Sequence, residues 1–91
     1  MAANVYVDSL ALSSDWSPLA AASVVLNVWL LMLYVGGGMS PAGAVFELLA
    51  GGRVAAWPMG EPIRLDGVDL AGLAVRSTSA DMELQVIGVT R

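Results

Sequence analysis

The stretch Leu19–Val35, LAAASVVLNVWLLMLYV, carries Ser23 and Asn27 as the only polar residues among its seventeen, and its conformation decides the class of the chain. A run this apolar is either a strand buried on both faces or, at the short end of the permitted length, a helix that crosses a membrane. Its five leucines and four valines would favour insertion by about 3–5 kcal/mol, enough to tolerate one asparagine. The flanks supply little topological signal: no Lys or Arg precedes the run, and Arg53, the first to follow it, lies only at the far edge of the window in which positive charge orients a span. The run is therefore read as the central strand of a β-domain, at about residues 22–35. The rival is a small single-span membrane protein with a helix at about 19–35 and a β-rich tail.

As a strand, the run divides into two unlike faces. Val24, Leu26, Val28, Leu30 and Met32 make one face wholly apolar, and this even-numbered face is the expected core. Ser23, Val25, Asn27, Trp29, Leu31 and Leu33 lie on the other, which begins polar and turns apolar from Trp29 onward. Such a face suits a surface covered by another subunit, so Trp29, Leu31 and Leu33 are the candidate interface residues.

Composition bounds the rest. A chain of 91 residues that is 57% apolar makes one domain, 1–91, with more hydrophobic surface than one modest core can hide. The surplus goes to a partner, a membrane or an oligomer interface. With no cysteine there is neither a disulfide framework nor a thiolate metal site. Histidine and lysine are also missing, which excludes imidazole acid–base chemistry, lysine Schiff bases and the lysine of a phosphate-binding loop. A net charge of −4 with four arginines gives no electrostatic footprint for nucleic acid. No catalytic constellation emerges, so neither enzymatic activity nor a cofactor is expected.

Outside the run, Val5 and Val7 alternate with Tyr6 and Asp8, but Leu10 and Leu12 take over the apolar positions. That slip predicts a strand with a bulge or bend near Asp8. Ser13-Ser14-Asp15 and Ser17-Pro18 supply turn chemistry around Trp16, or else Asp15 or Ser17 caps a helix with Pro18 at its first position. Gly36-Gly37-Gly38 lacks the following Gly-Lys of a phosphate cradle and reads as a flexible turn. Gly51-Gly52 joins Ala44–Ala50 to Arg53–Trp57, a hairpin signal because primed turns need positive φ. Ile63 and Leu65 make a short strand before a turn at Gly67–Leu70; Leu73 and Val75, then Met82, Leu84 and Val86, alternate likewise. Short strands with regular turns indicate an all-β single domain, a small antiparallel sandwich or a barrel-like, jelly-roll-like fold.

The acidic residues of this half are turn formers first, Asp69 being placed to accept bonds from the backbone amides after it. The sharper alternative is a Ca²⁺ site in which Asp66 and Asp69 join Glu61 or Asp81. Two carboxylates three apart do not make such a site, and no metal ligand is assigned. Trp16, Trp29 and Trp57 are spread along the chain and fit core or interface packing better than ligand stacking.

Gly60-Glu61, Leu65-Asp66-Gly67-Val68-Asp69-Leu70, Val75-Arg76-Ser77-Thr78-Ser79-Ala80-Asp81 and Val86-Ile87-Gly88 together resemble the C-terminal part of small structural proteins of tailed bacteriophages. The resemblance implies a non-enzymatic β-domain located in the virion: a capsid decoration, spike or fibre-base subunit. Its partners would be itself, as a homo-oligomer with a trimer among the allowed stoichiometries, and other capsid or tail proteins. Neither nucleic acid nor a membrane is an expected partner. The apolar run at Leu19 departs from the more polar strands of that family.

Overall fold

The computed structural model describes residues 5–89. Among these residues eight strands follow one another: β1 (Val5–Ala11), β2 (Ser17–Pro18), β3 (Val25–Tyr34), β4 (Val45–Ala50), β5 (Arg53–Pro58), β6 (Ile63–Asp69), β7 (Leu73–Arg76) and β8 (Met82–Val89), with a 3₁₀ turn at Leu70–Gly72. They form two antiparallel four-stranded sheets, ordered β1-β8-β3-β6 and β2-β7-β4-β5. Only β4 and β5 are consecutive within a sheet; every other link crosses from one sheet to the other. The fold is the small β-sandwich expected from the short alternating strands.

The apolar run is not one element. Its first residues close the β2 side, where Leu19 donates its amide to the Leu73 carbonyl at 3.0 Å and is itself buried. The chain then crosses at Ala20–Val24 to the opposite sheet and runs as β3 between β8 and β6. The rival reading of a helix at 19–35 finds no support: among the described residues no helix is long and apolar enough to cross a membrane. The helix start at Asp15 or Ser17 is corrected: Ser17 and Pro18 pair with Val75 and Ala74. A helix there would satisfy its amides locally; in the sandwich, hydrogen bonds to β7 do so while Leu19 reaches the core.

Within β3 the even-numbered face is the core. Leu26, Val28, Leu30 and Met32 are fully buried, against Leu84 and Val86 of β8, Phe46 of β4 and Val75 of β7. Burying each such side chain stabilises the fold by roughly 1.5–3 kcal/mol.

Two local expectations fail. β1 keeps an unbroken register with β8 from Val5↔Val89 to Ala11↔Glu83, without a bulge at Asp8. The inward series is Tyr6, Asp8 and Leu10, so Val5 and Val7 face outward and Asp8 is half-buried. At an edge strand the inner surface is open enough to admit a carboxylate, whose Oδ1 accepts the Ser9 amide at 2.8 Å. Nor does the chain turn at Gly67: β6 continues to Asp69 and absorbs Asp66-Gly67 as a bulge opposite the single residue Asn27. Gly67 has φ 64°, which a glycine adopts without strain. The Gly36–Gly38 loop is held at its start and its middle, by the Val35 amide donating to Asp81 O at 2.8 Å and the Tyr34 hydroxyl donating to the Gly37 carbonyl at 2.8 Å.

Leu26→Asp or Leu30→Asp places an unpaired charge in the core at a cost of several kcal/mol, against a total stability of about 5–15 kcal/mol. Neither variant is expected to give a cooperative thermal transition; an unchanged one would refute the register of β3. At the β4–β5 turn Gly51 and Gly52 both have positive φ, 57° and 76°. Replacing both with valine should cost about 1–3 kcal/mol at each position, read as a lower urea midpoint.

Candidate functional surface

Because β3 is central and its even face is spent on the core, its odd-numbered face looks out of the sandwich. Register aligns it with its neighbours in rows across the sheet. One row runs Val7, Ile87, Trp29, Arg64, and the next toward the N-terminus of β3 runs Val5, Val89, Asn27. Val5, Val7, Ile87 and Trp29 are exposed to 66%, 68%, 49% and 37% of their surface. Val25 and Leu33 extend the exposed apolar surface along β3, and Leu31 is half-buried between them. Of the residues expected at an interface, Trp29, Leu31 and Leu33 do share this outer face. The reading of β1 as slipped hid the contribution of Val5 and Val7.

The polar groups on this face are held in place. The Asn27 side-chain oxygen accepts the Gly67 amide at 2.8 Å, which satisfies the donor that the bulge leaves unpaired. That role accounts for an asparagine in so apolar a run. Arg64 lies over the Trp29 ring, 4.9 Å from its centroid, and pairs with Asp66 at 2.8 Å. An exposed cation–π contact contributes about 0.5–1 kcal/mol and covers part of the indole. The opposite sheet repeats the arrangement on its own outer side, where Arg76 stacks on Trp16 at 4.3 Å and pairs with Glu47 at 3.2 Å.

Asp69 does what its place after a strand predicts, and more. Its Oδ1 accepts the Ala71 amide at 3.1 Å, and the same carboxylate also accepts the Ser23 hydroxyl at 2.6 Å and the Val24 amide at 3.1 Å. Leu70 in turn donates to the Val24 carbonyl at 3.0 Å. The Ser23 hydroxyl first, then the Ala71 and Val24 amides, hold the Asp69 carboxyl below the usual carboxylate range. Asp66, by contrast, is engaged with Arg64. Among the described residues no three carboxylates converge as a cation site would require. The described residues also form no cleft or cavity.

The chain matches no protein-family model, no curated protein sequence and no solved structure.

Asp69→Ala should lower the melting temperature at neutral pH by opening the Ser23–Val24 corner. A carboxyl whose pKa is depressed on folding contributes stability above its unfolded pKa, and that stability is lost as pH falls through the folded pKa. The gap between wild type and Asp69→Ala should therefore narrow in acid, as paired thermal melts at pH 7 and in strong acid would show.

Proposed function

We propose that this protein is a non-enzymatic structural subunit that works by assembly, covering the outer face of the β1-β8-β3-β6 sheet with protein. The observation that carries this reading is the contiguous exposed row of Val7, Ile87 and Trp29, with Val5, Val25 and Leu33 around it. Apolar surface left in water is unfavourable by roughly 25 cal/mol per Å², and monomeric proteins rarely keep a large contiguous patch of it. A second copy is the simplest cover, since an isologous contact buries the same patch on both partners. Trp29 at the centre of the patch, partly shielded by Arg64, has the character of an interface anchor.

The place of assembly that the sequence favours is the virion of a tailed bacteriophage or phage-like particle, as a capsid decoration, spike or fibre-base subunit docking on other capsid or tail proteins. Support for that part is the turn-and-strand pattern of Gly60–Gly88, which in this chain spells out β6, the 3₁₀ turn, β7 and β8.

Light scattering without detergent should give a mass that is a multiple of 9.4 kDa. Trp29→Glu should give a smaller species or an aggregate. Asn27→Asp keeps an acceptor for the Gly67 amide and should leave the assembly intact. A wild-type protein that is monomeric at all accessible concentrations would overturn the proposal.

A further inference from the structure

The sandwich has four strand edges, and three of them are blunted. β2 is two residues long. β1 turns Asp8 toward the interior, and β6 carries the Arg64–Asp66 ion pair together with the Asp66-Gly67 bulge. Short edges, inward charges, exposed charges and bulges are the devices that prevent one sheet from pairing with another. β5 carries its exposed Arg53 and its Pro58 only at its two ends; along Val54-Ala55-Ala56-Trp57 it is regular and uncharged, and Val54, Ala55 and Ala56 are all exposed.

We propose that the free edge of β5 pairs antiparallel with β5 of a second copy, about a two-fold axis at Ala55, joining the β2-β7-β4-β5 sheets of the two chains into one. This contact is separate from the outer-face assembly and does not depend on it.

The register follows from the hydrogen-bond phase. Met59 donates to the Ala44 carbonyl at 3.0 Å, one step beyond the Val45↔Pro58 pair. Bonded pairs alternate with unbonded ones in an antiparallel ladder, so Phe46/Trp57, Leu48/Ala55 and Ala50/Arg53 are the bonded pairs of this hairpin. The N–H and C=O groups of Val54 and Ala56 therefore point away from β4, toward an edge where no described strand lies. Centring the axis on Ala55 sets Val54 opposite Ala56 of the second copy, and every one of these outward groups finds a partner. Sliding the strands one bonded pair toward Pro58 would set a residue without an amide opposite Val54. Sliding the other way would draw the Gly51-Gly52 turn into the ladder.

Side chains agree with this register. It places Arg53 directly across from Trp57 of the second copy on the same face, in an unbonded pair, where side chains approach most closely. Arg64 already lies over its cross-strand partner Trp29, and Arg76 lies over Trp16. Among the described residues Arg53 has neither a ring nor a carboxylate beside it. The two-fold supplies the Arg53 of each copy with one tryptophan.

The chain has no cysteine of its own, so one introduced thiol reads the geometry. Ala55 meets its own copy across the axis with Cα atoms about 4.5 Å apart, within the range a disulfide spans. Under mild oxidation Ala55→Cys should convert to a covalent dimer, whereas Val54→Cys and Ala56→Cys, each facing the other position, should stay largely uncross-linked. Adding Ala56→Pro, which removes an outward amide and no bond within the chain, should suppress the Ala55→Cys dimer. Cross-linking of Ala55→Cys should persist with Trp29→Glu present. An Ala55→Cys protein that stays a free thiol, or equal cross-linking at all three positions, would overturn the edge pairing and leave the outer-face proposal standing.

Discussion

A strand that is apolar on both sides can sit only where hydrogen bonds reach it from two neighbours and core reaches it from one face. β3 meets that condition by lying between β8 and β6, and much of the remaining structure follows. Its inward side chains pack beside Leu84 and Val86 of the neighbouring β8 and share the core with Phe46 and Val75 of the opposite sheet. Its partner β8 must come close: a Cβ on Gly88 would lie 2.9 Å from Leu26 Cδ1 and 3.3 Å from the Asn27 carbonyl oxygen. Glycine at that point lets Leu26 fill the space a side chain would occupy. Its outward side chains are left over once one core has formed, and a chain of this size has no second layer to place on them.

The polar residues within the apolar framework sit where strands leave their sheets or break step. Asn27 satisfies the β6 bulge and Asp69 ties the entry of β3 to the exit of β6. Buried Ser77 donates to the Val45 carbonyl at 3.0 Å and accepts the Ser79 amide at 3.3 Å where the chain leaves β7. Each bond contributes about 1 kcal/mol net, but leaving the same group buried and unpaired would cost more. In a sandwich where nearly every connection crosses between sheets, these corners carry the backbone groups that ladders cannot satisfy.

The two proposed contacts draw on different physics. The outer face of β3 and β8 offers apolar area, whose removal from water is favourable without strict register. The β5 edge offers backbone donors and acceptors at fixed spacing, so it selects orientation and register as well as partner. One contact stacks sheets and the other lengthens one, and a subunit with both can be built into extended or closed assemblies according to the angle between their axes.

By itself, the sequence determined that the chain would be β, that the even face of β3 would be core, and that Gly51-Gly52 would close a hairpin. Those features are local: period-two alternation and positive-φ glycines act through neighbouring residues. Trp29, Leu31 and Leu33 were legible on one face for the same reason. Tertiary structure decided the rest. Val5 and Val7 join the outer face because β1 pairs with β8 from the far end of the chain, in a register no local slip could reveal. Gly67 is a bulge and not a turn because Asn27, forty residues earlier, accepts its amide. Asp69 is bound by Ser23 and Val24, at separations of 46 and 45 residues. The run from Leu19 to Val35 looked continuous because hydrophobicity does not record which sheet a residue enters; the crossing at Ala20–Val24 exists only once both sheets do.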